Sequence, residues 1–490
     1  MSIESSDPVV NKRFKTEWWT LRLAGPVLAA AVIRFALLTV SLARAGTTAI
    51  SGGDTNSYLE PGRNLLLHAR FVAYGFPDVL RTPGYPFFLA VTSLGGLPLA
   101  AAANVILSVF SVVLVWRLGQ RVFDDDRIAL VAAWIFAFEP IAVANSVLLM
   151  SDTLFLVLLL LSLERLVDFL RGHHLRVLAT AGLWLAAATF VRPITYYLPV
   201  ALALGLFLVL VRVPGLRWKA PAVLLISVLP WLAAWQIRNR IETGYGGFSS
   251  AGEYNLYFDD SAEVKARVEH RGFYAVREQF GYSGAIGSVV VHNHSQQQYL
   301  YQPYLTVHPE QTGWSQGQRI AFLQSEALHN IRKHYGIYLR YCIVTRLFEE
   351  IVNPGAGHFD HLLNLEQVAQ NADLIDMGPI RWAIMLAREH PWMTVEKVAF
   401  ELVLLGLYLF AARGIFRGGL DSACLWLLMG TSIYFLVVSA AAGGPGAEAR
   451  YRLPIMPVVC LLAAAGLRGA KEIPRRVVSW FDSRLVGASG

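Results

Sequence analysis

Long apolar runs separated by short basic or polar stretches dominate the chain. They lie at 23–44, 97–116, 128–149, 152–170, 177–191, 193–211, 220–237, 395–412, 421–442 and 453–468. A bilayer's hydrocarbon core is about 30 Å thick, and about 20 apolar residues in helical form cross it. The runs therefore predict an all-α polytopic membrane protein of about 10–12 transmembrane helices, ten from the long runs and the rest from short apolar stretches at 84–94 and 337–348. The first run is too long for a cleavable signal peptide and lacks a clean small-residue cleavage site. No internal repeat suggests the paired halves of many transporters.

Charge placement orients these runs. Lys12, Arg13 and Lys15 precede the first, with Trp18 and Trp19 as an interfacial anchor. Arg117 and Arg121 follow the second, Arg171 and Arg176 the fourth, and Arg212, Arg217 and Lys219 the sixth. Arg413 and Arg417 follow the eighth, and Arg468, Lys471, Arg475 and Arg476 the last. Every second loop is basic, which predicts that these loops and both termini face the cytoplasm. The external side then receives the loop 45–83 and a large hydrophilic piece at 238–394. The expected organisation is a membrane module over 1–237, an external, periplasmic domain over 238–394, either mixed α/β or helical, and a second membrane module with a cytoplasmic tail over 395–490. A stretch near 318–351, with Phe322, Leu323, Leu328, Ile331, Tyr335 and Leu339 on one face, is expected to lie along the membrane surface.

Composition agrees with the pattern. The 490 residues are 55% hydrophobic and only 16% charged, which excludes both an ordinary soluble enzyme and a disordered chain. The formal net charge of +7 belongs with the basic loops rather than with nucleic acid. Cys342, Cys424 and Cys460 are too few and too scattered for a disulfide framework or a zinc site. His173-His174 and His292-Asn293-His294 lack partners at a metal-binding spacing, and Asp124-Asp125-Asp126 is a solvated connector. Asn293-His294-Ser295 is a formal glycosylation sequon, read as chance.

The informative residues are charges on or near the external side of the apolar runs: Asp54, Glu60, Arg63, Arg81, Glu139, Asp152, Arg192, Arg238, Glu448, Arg450 and Arg452. Arg34 lies near the middle of the first run. A charge at the bilayer centre costs about 2.5–3.5 kcal/mol on insertion scales, so such groups face protein or water. Glu139-Pro140 and Arg192-Pro193 cut their runs short in a charge followed by a helix breaker. The pattern suggests a water-filled cavity in the outer leaflet; the alternative is helix-to-helix pairing of the charges. In the first external loop, Asp54 and Tyr58 are four apart, on one face if the segment is helical. Asp54 could be a general base, a metal ligand or a helix N-cap.

The order of these pieces resembles the GT-C superfamily of membrane glycosyltransferases, in the branch of the dolichyl-phosphate-mannose protein mannosyltransferases and the lipid A aminoarabinose transferase. The resemblance rests on Asp54, Tyr58 and Arg81-Thr82-Pro83-Gly84-Tyr85-Pro86, then Glu139-Pro140 with Ser151-Asp152-Thr153. Arg238-Asn239 with Gly244, Ser249, Ser250, Gly252 and Asn255-Leu256 continues it, and Glu448-Ala449-Arg450-Tyr451-Arg452-Leu453-Pro454 with Pro457 closes it. The chain has Asp54-Thr55 where many members carry Asp-Glu, and Arg81 where a Lys is often found. Residues 260–394 match nothing recognisable.

The resemblance implies an inverting transfer from a polyprenyl-phosphate-linked sugar to a lipid, glycan or protein acceptor at the external face of a bacterial inner membrane. Asp54 would be the catalytic base. Arg81, Arg450, Arg452, Arg192 and Arg238 would bind the donor phosphate. Tyr58, Glu60, Arg63, Tyr85, Glu139, Asn239, Glu448 and Tyr451 would line the cavity. Asp54, Glu139 and Asp152 are the candidate ligands should a divalent metal ion take part; no other cofactor is implied. The expected partners are that donor, membrane lipids and the acceptor. The competing readings are a lipid or sugar transporter or flippase, and a surface-polysaccharide polymerase or ligase.

Overall fold

A computed structural model describes residues 8–73, 75–282, 304–365, 379–417, 422–444 and 449–468. Glu448, the 292–295 stretch, and Lys471, Arg475 and Arg476 lie outside the described residues.

The apolar runs are helices. In order they are α1 (Pro8–Ala45), α2 (Thr55–His68), α3 (Gly84–Thr92), α4 (Leu97–Phe123), α5 (Asp126–Ala137), α6 (Pro140–Val147), α7 (Asp152–Gly172), α8 (Leu175–Val191), α9 (Leu198–Val209) and α10 (Lys219–Thr243). Later come α11 (Gln316–Lys333), α12 (Pro391–Arg417), α13 (Ser422–Ala442) and α14 (Met456–Arg468). Among the described residues, six helices are long and apolar enough to cross a bilayer, and α5 with α6 makes a seventh bent by 55°. The ten long runs thus all fall on helices, α8 and α9 being shorter than a full span. The short stretch at 84–94 gives only the nine-residue α3. The architecture is an all-α polytopic membrane protein, and among the described residues the only sheet is a two-stranded ribbon, Val72–Ala73 against Phe76–Pro77.

Local chemistry explains the joints. Asp124 ends α4 in the left-handed region at φ 53°, and the Asp125 side chain accepts a hydrogen bond from the Arg127 amide to start α5. At the opposite end of α5, the break before Pro140 frees carbonyls of the preceding turn. The buried Arg34 of α1 donates to one of them, Ala137 O at 2.8 Å, and to Ser108 Oγ at 2.8 Å. Glu139 accepts from the Ala142 amide at 2.6 Å and so caps α6. Both mid-membrane charges therefore hold the bend together. Elsewhere Glu164 of α7, fully buried, meets Arg117 of α4 at 3.0 Å. α12 and α14 pack backbone to backbone, since a Cβ on Gly414 or Gly466 would stand 1.9 Å from a carbonyl of the other helix.

Between α10 and α12 the described residues form helices joined by loops, with no strand among them. α10 runs to Thr243, several residues past the apolar run, before this segment begins. Ser315 and Gln318 form a capping box at the start of α11. Ile320, Leu323, Ala327 and Ile331 of α11 are buried, and Leu323 and Ala327 pack on Tyr257, Phe258 and Tyr304. Of the stripe expected to lie on the membrane surface, Leu323 and Ile331 face protein, Phe322 and Leu328 are half-buried, and Tyr335 and Leu339 are exposed. The stretch 338–345 is a π-helical turn rather than a span.

Candidate functional site

The site begins at the turn into α2. Asp54 occupies the N-cap position, yet its side chain makes no capping hydrogen bond. It turns instead to two guanidinium groups. Arg81 Nη2 lies 2.6 Å from Oδ1, and Arg450 Nη2 lies 3.5 Å from Oδ2. Asp54 keeps 31% of its side-chain surface exposed, so the pair of arginines does not seal it. Burial alone would raise its pKa, but Arg81 and Arg450 outweigh burial and hold the carboxyl well below the usual range.

Arg81 is fixed from several directions. Its Nε donates to Ser57 Oγ at 2.9 Å, and its guanidinium sits 4.6 Å from the Tyr58 ring centroid. Tyr58 in turn packs edge-on against the buried Tyr85 at 4.9 Å. Upstream, Asp78 Oδ1 accepts from the Leu80 and Arg81 amides, which shapes the turn that presents Arg81. Arg238 braces the same turn by donating to the carbonyls of Asp78 at 2.7 Å and Phe71 at 2.6 Å.

These groups open onto a cavity of about 790 Å³. Of the residues singled out from sequence, Asp54, Tyr58, Arg81, Arg192, Arg450 and Tyr451 line it. Others stand behind it. Tyr85 backs Tyr58, Arg238 braces the Arg81 turn, and Asn239 donates to the carbonyls of Gly247 and Phe248, which form part of the wall. Asp152 is buried in an ion pair with Arg192. Glu60 is half-buried and Arg63 exposed, and neither reaches the cavity lining. Glu139 caps α6, as described above.

Arg452 also differs from expectation. It is buried, and its Nη1 donates to the carbonyls of Glu350, Ile351 and Asn353 at 2.8, 3.1 and 2.8 Å. Ala449–Ile455 is a 3-10 helix with about three residues per turn, so residues two apart project in different directions: Arg450 lines the cavity and Arg452 clamps the chain behind it. The candidate metal trio does not assemble either. Asp54 is held by arginines, Asp152 by Arg192 and Glu139 by a helix terminus, and among the described residues no three His, Cys, Asp or Glu side chains gather as a metal site. These three carboxylates do not fit a shared ion.

Of the wall contributed by residues 252–282, the sequence reading reached Gly252 and Asn255-Leu256 and missed the charged groups. Glu253, Asp259, Arg277 and Tyr282 line the same cavity. Glu253 lies within the Gly252 to Leu256 segment, whereas Asp259, Arg277 and Tyr282 fall beyond it, in a stretch with neither apolar periodicity nor a recognised motif; the adjacent Asp259-Asp260 pair within an aromatic run was the hint.

With this geometry in view, comparison with known proteins adds a partial match to one family model. Residues 82–235 match the family model of dolichyl-phosphate-mannose-protein mannosyltransferases. The resemblance to that family holds over this segment. It runs from the Arg81 turn through α3 to most of α10, which includes Asp152, Arg192 and the bend at Glu139. No curated protein matches the chain. Among solved structures it is similar to the Archaeoglobus fulgidus oligosaccharyltransferase in the apo form, at 13% identity over 93% of this chain and 50% of that one, with a TM-score of 0.46. It is also similar to ArnT from Cupriavidus metallidurans bound to undecaprenyl phosphate, at 14% identity over 92% of this chain and 78% of that one, with a TM-score of 0.38. The chain spans about half the length of the oligosaccharyltransferase it matches.

Proposed function

We propose that this protein is an integral membrane glycosyltransferase that moves a sugar from a polyprenyl-phosphate donor to an acceptor at the external face of the membrane. The observation that carries the reading is Asp54, a carboxylate held between Arg81 and Arg450 in the lining of a large cavity. An apolar groove of about 590 Å³ lies alongside, lined by residues such as Phe87, Phe88, Leu158, Phe190 and Trp231. Val191 lines both the groove and the cavity, so an isoprenoid chain in the groove would deliver its phosphate to the arginines.

The transfer follows from these positions. An acceptor O–H or N–H attacks the anomeric carbon, and the bond from that carbon to the phosphate oxygen breaks with its electron pair going to the phosphate. The acceptor's proton passes to an Asp54 carboxylate oxygen. Direct displacement inverts the anomeric centre. The departing lipid phosphate gains a negative charge, which the guanidinium forks of Arg81 and Arg450 stabilise in a poorly hydrated site. In the resting protein the same two arginines make Asp54 a weak base. A bound donor phosphate competes for them and returns basicity to Asp54 when the acceptor needs it.

The test is to incubate purified protein with radiolabelled polyprenyl-phosphate sugars and candidate acceptors. Release of free lipid phosphate is expected; intact donor after prolonged incubation with every acceptor would replace the enzyme with a flippase. Because the arginines supply positive charge at the phosphate, a chelator is expected to leave that release unchanged. Metal-restorable loss would show that an ion shares the work.

The basic loops support an external position for the site. A cysteine replacing the exposed Glu310 should react with an impermeant thiol reagent added outside, while one replacing Gly172 should be spared. The native Cys342, Cys424 and Cys460 are buried and give little background. The reverse pattern would place the site in the cytoplasm.

A further inference from the structure

The cavity wall formed by residues 253–282 has a construction that phosphate departure does not use. Asp259 and Asp260 lie in a π-helical turn, Leu256–Ser261, a distortion common at functional sites because it turns neighbouring side chains to different sides. The two carboxylates are treated differently. Asp260 is buried in an ion pair with Arg346, which also donates to the Gly443 carbonyl, so this residue ties the segment to the chain end of α13. Asp259 faces the cavity, where its Oδ1 lies 2.6 Å from Arg277 Nη2.

The surroundings are aromatic. The Arg277 guanidinium lies 3.5 Å from the Tyr282 ring centroid and 5.5 Å from that of Phe273. Phe258 packs at 5.5 Å from Tyr282 and 5.1 Å from Tyr254. Asp259 and Arg277 keep only 10% and 18% of their side-chain surface, and both line the cavity. A mostly buried ion pair contributes little net stability against an apolar replacement, so stability alone gives weak reason for one at a cavity wall. Gly444 leaves room beside the carboxylate, since a Cβ there would approach Asp259 Oδ2 to 3.2 Å. Burial raises the Tyr282 phenol's pKa; Arg277 opposes the rise, and Asp259 and Asp54 add to it.

A carboxylate that accepts from hydroxyls, a guanidinium that donates to them and aromatic faces for the C–H side match one class of ligand, a polyhydroxylated ring. We propose that Asp259, Arg277 and the aromatic residues around them form the saccharide subsite of this cavity. The assignment rests on the glycosyltransferase reading and names where the sugar is recognised, whether that ring belongs to the donor or to a saccharide acceptor.

The experiment uses the full chain in nanodiscs. Its probes are undecaprenyl phosphate, a panel of undecaprenyl-phosphate monosaccharides (hexose, N-acetylhexosamine and aminopentose), and free oligosaccharides. Wild type should bind at least one sugar-bearing lipid about tenfold more tightly than the bare lipid phosphate, the gain expected from a pair of charge-assisted hydrogen bonds. Asp259→Asn and Arg277→Gln should erase that gain while leaving bare undecaprenyl phosphate bound within about twofold of wild type, which also reports that they fold. Gly444→Ala, a milder change, should reduce the gain in the same direction. Loss of the sugar-dependent gain assigns the subsite to the donor. Loss confined to free oligosaccharide binding assigns it to the acceptor. Variants that bind every sugar-bearing probe as wild type does would overturn the subsite and leave the phosphate pole untouched. Failure of wild type to bind undecaprenyl phosphate at all would instead overturn the glycosyltransferase reading, and the subsite with it.

Discussion

Asp54→Asn is expected to lower transfer by about 10²–10⁴-fold, the range for removal of a positioned general base, with the protein still folded. Asparagine keeps the shape and one carbonyl oxygen but cannot take the acceptor's proton. Had Asp54 been a helix cap, the same change would cost about 1 kcal/mol of stability and little activity. The geometry separates the two roles, because the side chain makes no capping bond and meets Arg81 and Arg450 instead. A stability signature accompanies the loss. A carboxylate whose folded pKa is depressed contributes stability above the ordinary carboxylate range, and loses it as pH falls through that range toward the lower folded value. The difference in thermal stability between wild type and Asp54→Asn should therefore be largest near neutrality and shrink in acid. Near-normal turnover in a folded Asp54→Asn protein would remove Asp54 from the chemistry.

The membrane architecture was legible because a bilayer imposes a single rule on a long stretch of sequence. Each apolar run had to become a helix, and all ten did, with differences only in length and bend. Individual charges were harder to read, since burial leaves the same trace in sequence for opposite reasons. Arg34 and Glu139 sit where a catalytic cavity would have them, yet they serve backbone groups at the α5–α6 break. Nothing local distinguishes them from Arg81 or Arg450; only the partner does. Arg450 and Arg452 show the same limit: both read as phosphate ligands, and only the 3-10 helix that carries them turns one to the cavity and the other to backbone carbonyls. Asp259 and Arg277 were illegible because their pairing crosses eighteen residues of irregular helical segment. The π-helical turn that orients Asp259 leaves no periodic signature in its sequence.

The second large effect concerns the arginines at the leaving group. Arg81→Lys and Arg450→Lys are each expected to slow turnover more than they weaken donor binding. Lysine restores the charge but loses the planar fork that can give two bonds to two phosphate oxygens. The lost stabilisation grows with the charge on the departing phosphate, so it falls on the transition state more than on the bound donor. Arg81→Lys should be the more severe. Arg81 also donates to Ser57 and stacks on Tyr58, and both contacts hold it against Asp54. Arg452→Lys should behave differently from both. Arg452 is buried, and it holds three backbone carbonyls, that of the buried Glu350 and those of the half-buried Ile351 and Asn353. A single ammonium cannot reproduce that set, and a buried carbonyl left without a donor costs about 1–3 kcal/mol. Its signature is therefore lower thermal stability with kcat and KM kept in the folded fraction. A kcat loss for Arg452→Lys equal to that of Arg450→Lys, at unchanged stability, would move the leaving-group contact to Arg452. Turnover unchanged in both Arg81→Lys and Arg450→Lys would mean that charge without geometry suffices at this phosphate.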